Sequence, residues 1–237
     1  MDIIIPLAGK GSRFNGSKFG NAKPLIDIFG KPMVVRALET LGLVGKFHVV
    51  VGESEWKADL VQVLKRLDLD INIIQIDFDT KGPCSSALLA ESSIDPKNEL
   101  IIANCDQIMK WNSGAFLHNA RFYDGLIVTY FSEVEHNSYA EVSEDGYVTK
   151  VTEKERISNI SLNGIHYWKE SAKFFDDAKS MIAANDIAPD GEFYIAPTFN
   201  YMIKKGFKVG IHHIPDQMHH AVGIPDDLEK FLKNEYL

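Results

Sequence analysis

The first hundred residues alternate short apolar runs with longer amphipathic stretches, and this alternation restricts the fold more than any other feature of the sequence. Strands that alternate with helices form parallel sheets covered by helices on both faces. Such sheets bind ligands at the carboxyl ends of their strands. The predicted strands are residues 3–7, 47–51, 71–76 and 100–104, and the predicted helices are residues 31–44, 56–67 and 83–92.

The second half of the chain has a different pattern. An Asp-Gly pair at residues 145–146 lies between two strand-like segments and indicates a hairpin. Pro225, followed by Asp226 and Asp227, begins a final helix with acids in its first turn. The other predicted strands are residues 126–131, 139–142, 147–151, 162–168 and 209–214, and the other predicted helices are residues 172–184 and 195–205. We therefore expect an α/β fold in which one domain, residues 1–237, is built on one mixed, mostly parallel sheet.

Charge and composition exclude several classes of protein. The 237 residues include 33 acidic and 25 basic ones, a net charge of −8, whereas nonspecific nucleic-acid binding requires a basic surface. No apolar run approaches the ~18 residues that span a bilayer, and the N-terminal run stops at Ala8, short of a signal peptide. Cys84 and Cys105 form no CxxC motif, which argues against a disulfide scaffold or a structural zinc site. We expect a cytoplasmic protein that binds neither nucleic acid nor membrane.

A glycine-rich loop, LAGKGSRF at residues 7–14, follows the first predicted strand. Glycines there allow backbone N–H groups to approach an anion closely. The loop is not a dinucleotide fingerprint, because Phe14 stands at the third glycine position. It is not a Walker loop either, because Lys10 lies between the glycines. By itself, the segment fits an ordinary glycine-rich turn as well as it fits a phosphate-binding loop.

A second motif, KPLIDIFGKPM at residues 23–33, begins ten residues after Arg13. Together the two motifs resemble the sugar nucleotidyltransferases, or nucleoside-diphosphate-sugar pyrophosphorylases. The signature of that family is Ala-Gly-x-Gly-[Ser/Thr]-Arg, followed by Lys-Pro-Leu and then Gly-Lys-Pro-Met. Weaker matches continue across most of the chain, at residues 80–87, 103–107, 153–154, 163–165, 191–194 and 223–228. The chain is similar to the small, single-domain members associated with bacterial capsule and surface-polysaccharide synthesis.

The resemblance implies a Rossmann-like three-layer α/β sandwich of the GT-A-like kind, shared with nucleotide-sugar glycosyltransferases. Residues 1–110 would form the nucleotide-binding half and residues 111–237 the acceptor-binding half. In the implied reaction, a phosphate-monoester oxygen attacks the α-phosphorus of a nucleoside triphosphate, with CTP, UTP or dTTP favoured, and pyrophosphate leaves. The monoester has a second pKa of about 6 and is largely ionised at neutral pH, so the site needs no general base. It needs cations that bring two anions together.

Arg13 and Lys23 are the predicted catalytic residues. The planar guanidinium of Arg13 can bind phosphate oxygens in pairs, and Lys23 adds a compact charge. Lys10 either assists them or is a solvated lysine. The residues predicted to bind the nucleotide are Leu7, Ala8, Gly9, Gly11, Ser12, Gly82, Ser85 and Ser86. Of these, Ser85 and Ser86 either read the base or only cap their helix.

Asp106 directly follows the strand predicted at residues 100–104. By resemblance it is a ligand of Mg²⁺, which proteins often hold with one carboxylate plus phosphate oxygens. The alternative is an Asp that caps the next turn. The resemblance places four residues in the acceptor site: Glu153, Lys154, Gly164 and Glu192. For Glu153 and Lys154, a solvated charged surface is the alternative.

One segment departs from the family pattern. Many members carry a second metal-binding Asp in a Trp-x-Asp-x-Gly-Thr segment, whereas residues 218–225 here read MHHAVGIP, with Ala221 at the expected position. Either one metal ligand suffices, or His219, His220 or Asp216 takes part, or the alignment shifts by one residue. The departure moves the prediction from a sugar 1-phosphate acceptor toward a phosphorylated non-sugar, such as phosphocholine or phosphoglutamine.

Two other functions fit parts of the sequence. A glycosyltransferase of the same fold would use a DxD motif, which residues 77–79 match, but such an enzyme has no use for Arg13 and Lys23. A binding module that has lost turnover is indicated by Ala221 alone. The histidine pairs at 212–213 and 219–220 do not predict a zinc site, since adjacent side chains in a strand point to opposite faces. Relatives often self-associate, so the resemblance also allows a homo-oligomer.

Overall fold

A computed structural model of the protein describes residues 1–9, 11–20, 22–135 and 137–233. The strands are β1 (Asp2–Leu7), β2 (Asp27–Ile28), β3 (Lys31–Pro32), β4 (Lys46–Val51), β5 (Ile71–Gln75), β6 (Leu100–Ala103), β7 (Gln107–Met109), β8 (Gly125–Phe131), β9 (Ser138–Val142), β10 (Val148–Glu153), β11 (Ile160–Trp168), β12 (Val209–His213) and β13 (His219–Ala221). The α-helices are α1 (Met33–Leu41), α2 (Lys57–Lys65), α3 (Pro83–Leu88), α4 (Ser113–Ala120), α5 (Ser171–Ala183), α6 (Thr198–Lys204) and α7 (Pro225–Lys233). Among the described residues, no helix is both long and apolar enough to cross a membrane.

Nine of these strands form one mixed sheet that runs through both halves of the chain. β5, β4, β1 and β6 are neighbours and run parallel. β11 pairs antiparallel with β6 along one edge and with β8 along the other, and β12 lies parallel to β8. The β9–β10 hairpin joins β11 where Tyr139 pairs with Ser161. Seven of the nine described strands therefore share one direction, which confirms the expected α/β fold with a mixed, mostly parallel sheet.

Helices cover both faces of this sheet, as the predicted three-layer sandwich requires. One apolar cluster includes Leu38 of α1, Leu60 of α2 and Phe116 of α4. The cluster on the other face includes Phe174 of α5 and Phe199 of α6. Large apolar side chains that are removed from water in this way supply the main stabilising free energy of such a fold.

A third, smaller apolar cluster joins the glycine-rich loop to the C-terminal segment. It contains Phe14, Ile28, Ile108, Val222 and Phe231, all buried. Ile108 lies in β7 and Val222 directly follows β13, and these two strands pair with each other as a short antiparallel ribbon. The cluster therefore packs the glycine-rich loop against β7, Val222 and α7.

The element bounds differ from the predictions where local backbone geometry decides them. The helix predicted at residues 31–44 begins only at Met33, because β2 and β3 pair just before it. It ends at Leu41, because Gly42 adopts a left-handed conformation with φ 62°, a common helix C-terminus. The predicted hairpin at residues 145–146 is confirmed by the β9–β10 pairing, with Gly146 at φ 82°. The sequence interpretation missed α4 and the β7–β13 ribbon.

Candidate active site

The glycine-rich loop is held by its aromatic end. Gly11 adopts a left-handed conformation (φ 64°) and precedes a 3-10 turn, Ser12–Phe14. The ring of Phe14 is fully buried, whereas Ser12 and Arg13 are exposed. Because the Phe14 ring is buried, the backbone of the adjacent Arg13 is held in place while Arg13 itself remains exposed. Lys10 lies outside the described residues.

The rest of the predicted nucleotide loop lies at the carboxyl end of β1. Leu7 is buried and ends that strand, and Gly9 is exposed. The backbone of Ala8 packs against Gly52, where an added Cβ would lie 2.6 Å from the Ala8 carbonyl oxygen. The loops after β1 and β4 therefore touch at this edge of the sheet, as expected for a ligand site in a parallel sheet.

Lys23 and Asp106 form the central ion pair of this edge. Lys23 begins a 3-10 turn and Asp106 follows β6, and the Lys23 Nζ donates to Asp106 Oδ2 at 2.6 Å. Burial opposes the charge on Lys23, but the Asp106 carboxylate outweighs burial and raises the pKa of Lys23. Burial likewise favours neutral Asp106, but Lys23 and then Arg13 outweigh it and lower the pKa of Asp106. Both groups are therefore ionised at neutral pH.

The second oxygen of Asp106 suits a cation that prefers oxygen ligands. Asp106 Oδ1 is buried without a hydrogen-bond partner in the described part of the chain, and the same holds for Oε1 of the adjacent Gln107. Carboxylate and amide oxygens are ligands that Mg²⁺ accepts. Asp106 therefore fits the predicted role of a Mg²⁺ ligand. Within the described ranges, no group of three or more His, Cys, Asp or Glu side chains is arranged to hold a metal ion.

Ala221 stands where many family members carry a second metal-binding Asp, and the structure shows its surroundings. Ala221 pairs with Gln107 across the β7–β13 ribbon. Gly223 then lies against Asp106, where an added Cβ would be 2.5 Å from Oδ2. Ala221 and Asp106 both line the same cleft, so position 221 contributes a methyl group there and no carboxylate.

The two histidines before Ala221 both pack on aromatic rings. His219 packs on the ring of Tyr130, with centroids 4.0 Å apart, and His220 packs on Phe231 at 5.2 Å. The two rings contact different neighbours, as adjacent residues of a strand do. Asp216 is exposed in the turn before β13.

Glu153 and Lys154 lie together at the end of β10. The Ser138 hydroxyl donates to Glu153 Oε2 at 2.6 Å. Burial raises the pKa of Glu153, against the opposing effects of that hydrogen bond and of Lys154. The Lys154 Nζ donates to the Tyr194 hydroxyl oxygen at 2.6 Å and to the Asp190 carboxylate. These contacts contradict a freely solvated charged surface for the pair.

Gly164 forms a bulge that brings β11 against the loop after β6. Between Leu162 and His166 the β11 register with β8 shifts, and Gly164 takes φ 90°. An added Cβ there would lie 2.3 Å from the side-chain Nδ2 of Asn104. The backbone N–H of Asn104 donates to the Gly164 carbonyl oxygen at 3.2 Å. Only glycine allows both the positive φ and the close approach.

These groups surround one cleft of about 580 Å³. Five of the predicted site residues line it: Arg13, Asp106, Glu153, Lys154 and Gly164. Lys23 reaches it through its bond to Asp106. The size is within the range of small-molecule sites.

The segment from Gly82 to Ser86, where the resemblance predicts contact with the base, lies beside this cleft. Of its residues, Pro83 lines the cleft. Gly82 packs on the backbone of Phe193 and on the Cβ of Glu192, so it needs both its φ of 95° and its lack of a side chain. The Ser86 hydroxyl is bonded to Thr80 and to the Gly82 carbonyl, and the Ser85 hydroxyl donates to the Lys81 carbonyl. These local bonds favour a structural role for both hydroxyls.

Several lining residues were missed by the sequence interpretation. They are mostly neutral and polar: Asn104, Gln107, Tyr130, Asn137, Asn163, His166 and Tyr194, with Asp227 as a further acid. Asn104, Gln107 and Asn163 adjoin predicted site residues, so their position in the motifs could have identified them. His166 is only 5% exposed, its Nδ1 has no described partner, and burial lowers its pKa to about 3. A lone histidine in a predicted strand gave no such signal.

A model of the MobA-like NTP transferase domain matches residues 3–145. The chain belongs to this family. The expected resemblance to nucleotidyltransferases is thereby confirmed, and the matched range contains the glycine-rich loop, Lys23 and Asp106.

The fold of this NTP transferase domain is shared with several solved structures. The nucleoside-diphosphate-sugar pyrophosphorylase from Vibrio cholerae RC9 superposes with a TM-score of 0.85 at 20% identity, over 98% of this chain and 99% of that one. The inositol-1-phosphate CTP transferase from T. maritima gives 0.74 at 16% identity, over 98% and 93%. The bifunctional protein GlmU of Methanocaldococcus jannaschii is 24% identical over 212 residues, which cover 89% of this chain and 49% of GlmU. The chain therefore spans about half the length of that relative.

Proposed function

We propose that the protein transfers a nucleotidyl group from a nucleoside triphosphate to a phosphorylated small molecule and releases pyrophosphate. The observation that carries the proposal is the cleft that joins Arg13, the Lys23–Asp106 pair and Lys154. Arg13 and Lys154 are the cationic side chains among the described lining residues, and the reaction brings together two anions. Membership of an NTP transferase family supports the same reaction.

Each cation has a separate task in this proposal. The exposed guanidinium of Arg13 binds the phosphates of the triphosphate and stabilises the charge that develops on the leaving pyrophosphate. Lys23 holds Asp106 ionised and oriented. Lys154 binds the phosphate of the acceptor, so that its oxygen is directed at the α-phosphorus. Mg²⁺ held by Asp106 would supply further neutralisation of the phosphate oxygens.

The lining of the cleft favours an acceptor rich in hydroxyl groups, such as a sugar or polyol phosphate. Amides and hydroxyls can both donate to and accept from such groups, and Asn137, Ser138 and Asn163 line the cleft. A quaternary ammonium such as choline would instead need free aromatic faces. Tyr130 has His219 against its ring, and Tyr194 has the Lys154 ammonium 4.7 Å from its ring centroid. These contacts count against the phosphocholine alternative.

The DxD segment at residues 77–79 is exposed after β5 and is not part of the cleft lining, so we do not propose glycosyl transfer. One domain over the whole chain and a cytoplasmic location stay predictions of the sequence pattern and composition. A pyrimidine triphosphate, a role in capsule or surface-polysaccharide synthesis and self-association stay predictions of the resemblance.

The test is pyrophosphate release in the presence of Mg²⁺. CTP, UTP, dTTP, ATP and GTP are each combined with hexose 1-phosphates, inositol phosphates, phosphoglutamine and phosphocholine. We expect release with one triphosphate and a hydroxyl-rich acceptor, and a loss of about 10²-fold or more in kcat for Arg13→Ala or Asp106→Ala. Arg66→Ala, an exposed arginine after α2, is the matched control and should leave the rate unchanged. Full turnover in Arg13→Ala, or triphosphate binding with no release for any pair, would contradict the proposal.

A further inference from the structure

The ammonium of Lys154 is held in a fixed place by its own backbone and by two neighbours. Lys154 has φ 57°, a left-handed conformation that few residues other than glycine adopt. Its Nζ donates to the Tyr194 hydroxyl oxygen and to the Asp190 carboxylate, and it lies over the Tyr194 ring. An ammonium has three N–H donors, so two are occupied by these partners.

Asp190 lies at the tip of the turn between α5 and α6. The Gly191 N–H donates to the Ala188 carbonyl at 2.8 Å, and the Ala188 N–H donates to the Glu192 carbonyl at 3.1 Å. The Tyr194 hydroxyl donates to Asp190 Oδ2 at 2.7 Å. Burial favours the neutral acid, but the hydrogen bonds from Lys154 and Tyr194 prevail and lower the pKa of Asp190. The carboxylate is thus charged, and its oxygen is shared by both partners.

The Asp190 carboxylate is already bonded to the Lys154 ammonium, which in the proposed function binds the acceptor phosphate. Lys154 and Tyr194 line the cleft, whereas Asp190 contacts them from the turn and is not part of the lining. A phosphate that binds Lys154 must either share the ammonium with a like charge or take it from Asp190. Both events cost free energy that does not depend on the rest of the ligand.

We propose that Asp190 is a countercharge that weakens the binding of free anions to Lys154. This inference rests on the proposed function, in which Lys154 binds the acceptor phosphate. Inorganic phosphate and pyrophosphate meet the same opposing charge as the acceptor, but they lack the contacts that the acceptor makes with the remaining cleft. Because this cost is the same for every phosphate, it leaves the ratio of their affinities unchanged. It lowers the occupancy of Lys154 by anions that make no further contact, whereas the acceptor is still held by the remaining cleft.

The test is binding of inorganic phosphate to the full chain, measured by isothermal titration calorimetry without nucleotide. Asp190→Asn keeps the shape of the side chain and removes its charge. We expect phosphate to bind about fivefold more tightly to this variant, because ion pairs of such exposure are worth up to about that factor. Asp186→Asn is the matched control, since Asp186 accepts a bond from Tyr201 in the same region but does not contact Lys154, and its phosphate affinity should equal that of the wild type.

A second variant tests whether the tighter phosphate binding depends on Lys154. In the double variant Asp190→Asn, Lys154→Met the gain should vanish, and urea unfolding of each variant verifies that it is folded. Equal or weaker phosphate binding by Asp190→Asn would overturn the inference and assign Asp190 to positioning Lys154. No measurable phosphate binding by any variant, or a gain that persists without Lys154, would overturn it as well. Because the titration uses neither triphosphate nor acceptor, a silent pyrophosphate screen together with tighter phosphate binding would refute only the proposed function.

Discussion

The Lys23–Asp106 pair offers the sharpest test of the site, because each partner is needed by the other. Lys23→Met keeps most of the side-chain volume and removes the charge. Asp106 then keeps its carboxylate in a place where the side chain is only 18% exposed and where Oδ1 already has no described partner. The variant therefore leaves a largely buried carboxylate with no cation bonded to it.

The magnitude follows from the geometry. Two unit charges 2.6 Å apart attract by about 6 kcal/mol at an effective dielectric constant of 20, and that figure is a ceiling, since desolvation of both charges offsets part of it. Removing one partner of a buried pair costs about 3–5 kcal/mol. Because both side chains keep nearly a fifth of their exposure, we expect Lys23→Met to lower the free energy of unfolding by about 2–3 kcal/mol at pH 7.

The pH dependence has a definite sign. The pKa of Asp106 is lowered by folding, so its contribution is present above the unfolded pKa of about 3.9 and is lost as the pH falls through the folded pKa. The pKa of Lys23 is raised, so its contribution is present below about 10.4 and is lost as the pH rises through the folded value. The difference between wild type and Lys23→Met should be constant from about pH 5 to 9 and should shrink in more acidic solution.

Urea unfolding of the wild type, Lys23→Met, Asp106→Asn and the double variant measures both quantities. In the double-mutant cycle the two substitutions should be strongly non-additive, since each removes the same pair. Additive effects, or an unchanged unfolding midpoint in Lys23→Met, would show that the pair contributes nothing to the folded state and would refute the reasoning.

Three further predictions concern single contacts. Gly223→Ala should push the Asp106 carboxylate away from its place and lower kcat by roughly 10²-fold. It should also lower the free energy of unfolding, because the displaced Oδ2 accepts the bond from Lys23. Gly114→Ala, on remote α4, should leave kcat unaltered, and equal rates in both variants would exclude the steric argument. Asn200→Ala removes two 2.8 Å hydrogen bonds to the backbone of β10 and should cost about 1–3 kcal/mol in urea unfolding, and a loss below 0.5 or so would contradict this. Burial keeps His166 neutral and lowers its pKa to about 3. Below about pH 6.5 the unfolded chain takes up a proton at this histidine and the folded chain does not, so the free energy of unfolding of the wild type should fall by up to ~1.4 kcal/mol per pH unit. His166→Asn should lack this part of the slope.

The fold was predictable where periodicity and local signals agree. The buried strands β1, β4 and β6 are continuous apolar runs between polar segments, and the β9–β10 hairpin carries its turn signal in the sequence. The β7–β13 ribbon was not predictable in the same way. Its strands have three residues each and pair across more than a hundred positions of sequence, so neither strand has a period that a local pattern could reveal.

The candidate site divides along a similar line. Asp106 and Arg13 follow predicted strands, where the position in a parallel sheet predicts a polar group at the ligand-binding edge. Their individual roles were predicted from the family resemblance. Asp190 could not be inferred, because its contact with Lys154 spans 36 positions and depends on how the turn after α5 folds back. His166 was hidden for another reason, since only its neighbours Trp168 and Phe199 show that it is buried and neutral.

The alanine at position 221 changes the charge balance of the site rather than only its ligand count. With Lys23 bonded to Asp106, that part of the cleft carries no net charge before any ligand enters. A second carboxylate at 221 would lie beside Gln107 and near Asp106, and it would repel a triphosphate unless a second cation came with it. Under the proposed function, Arg13 then meets the phosphates without that opposition. A single-carboxylate site is therefore consistent with this arrangement of fixed cations, and the proposal expects the affinity for the triphosphate to depend more on Arg13 than on a pair of metal ligands.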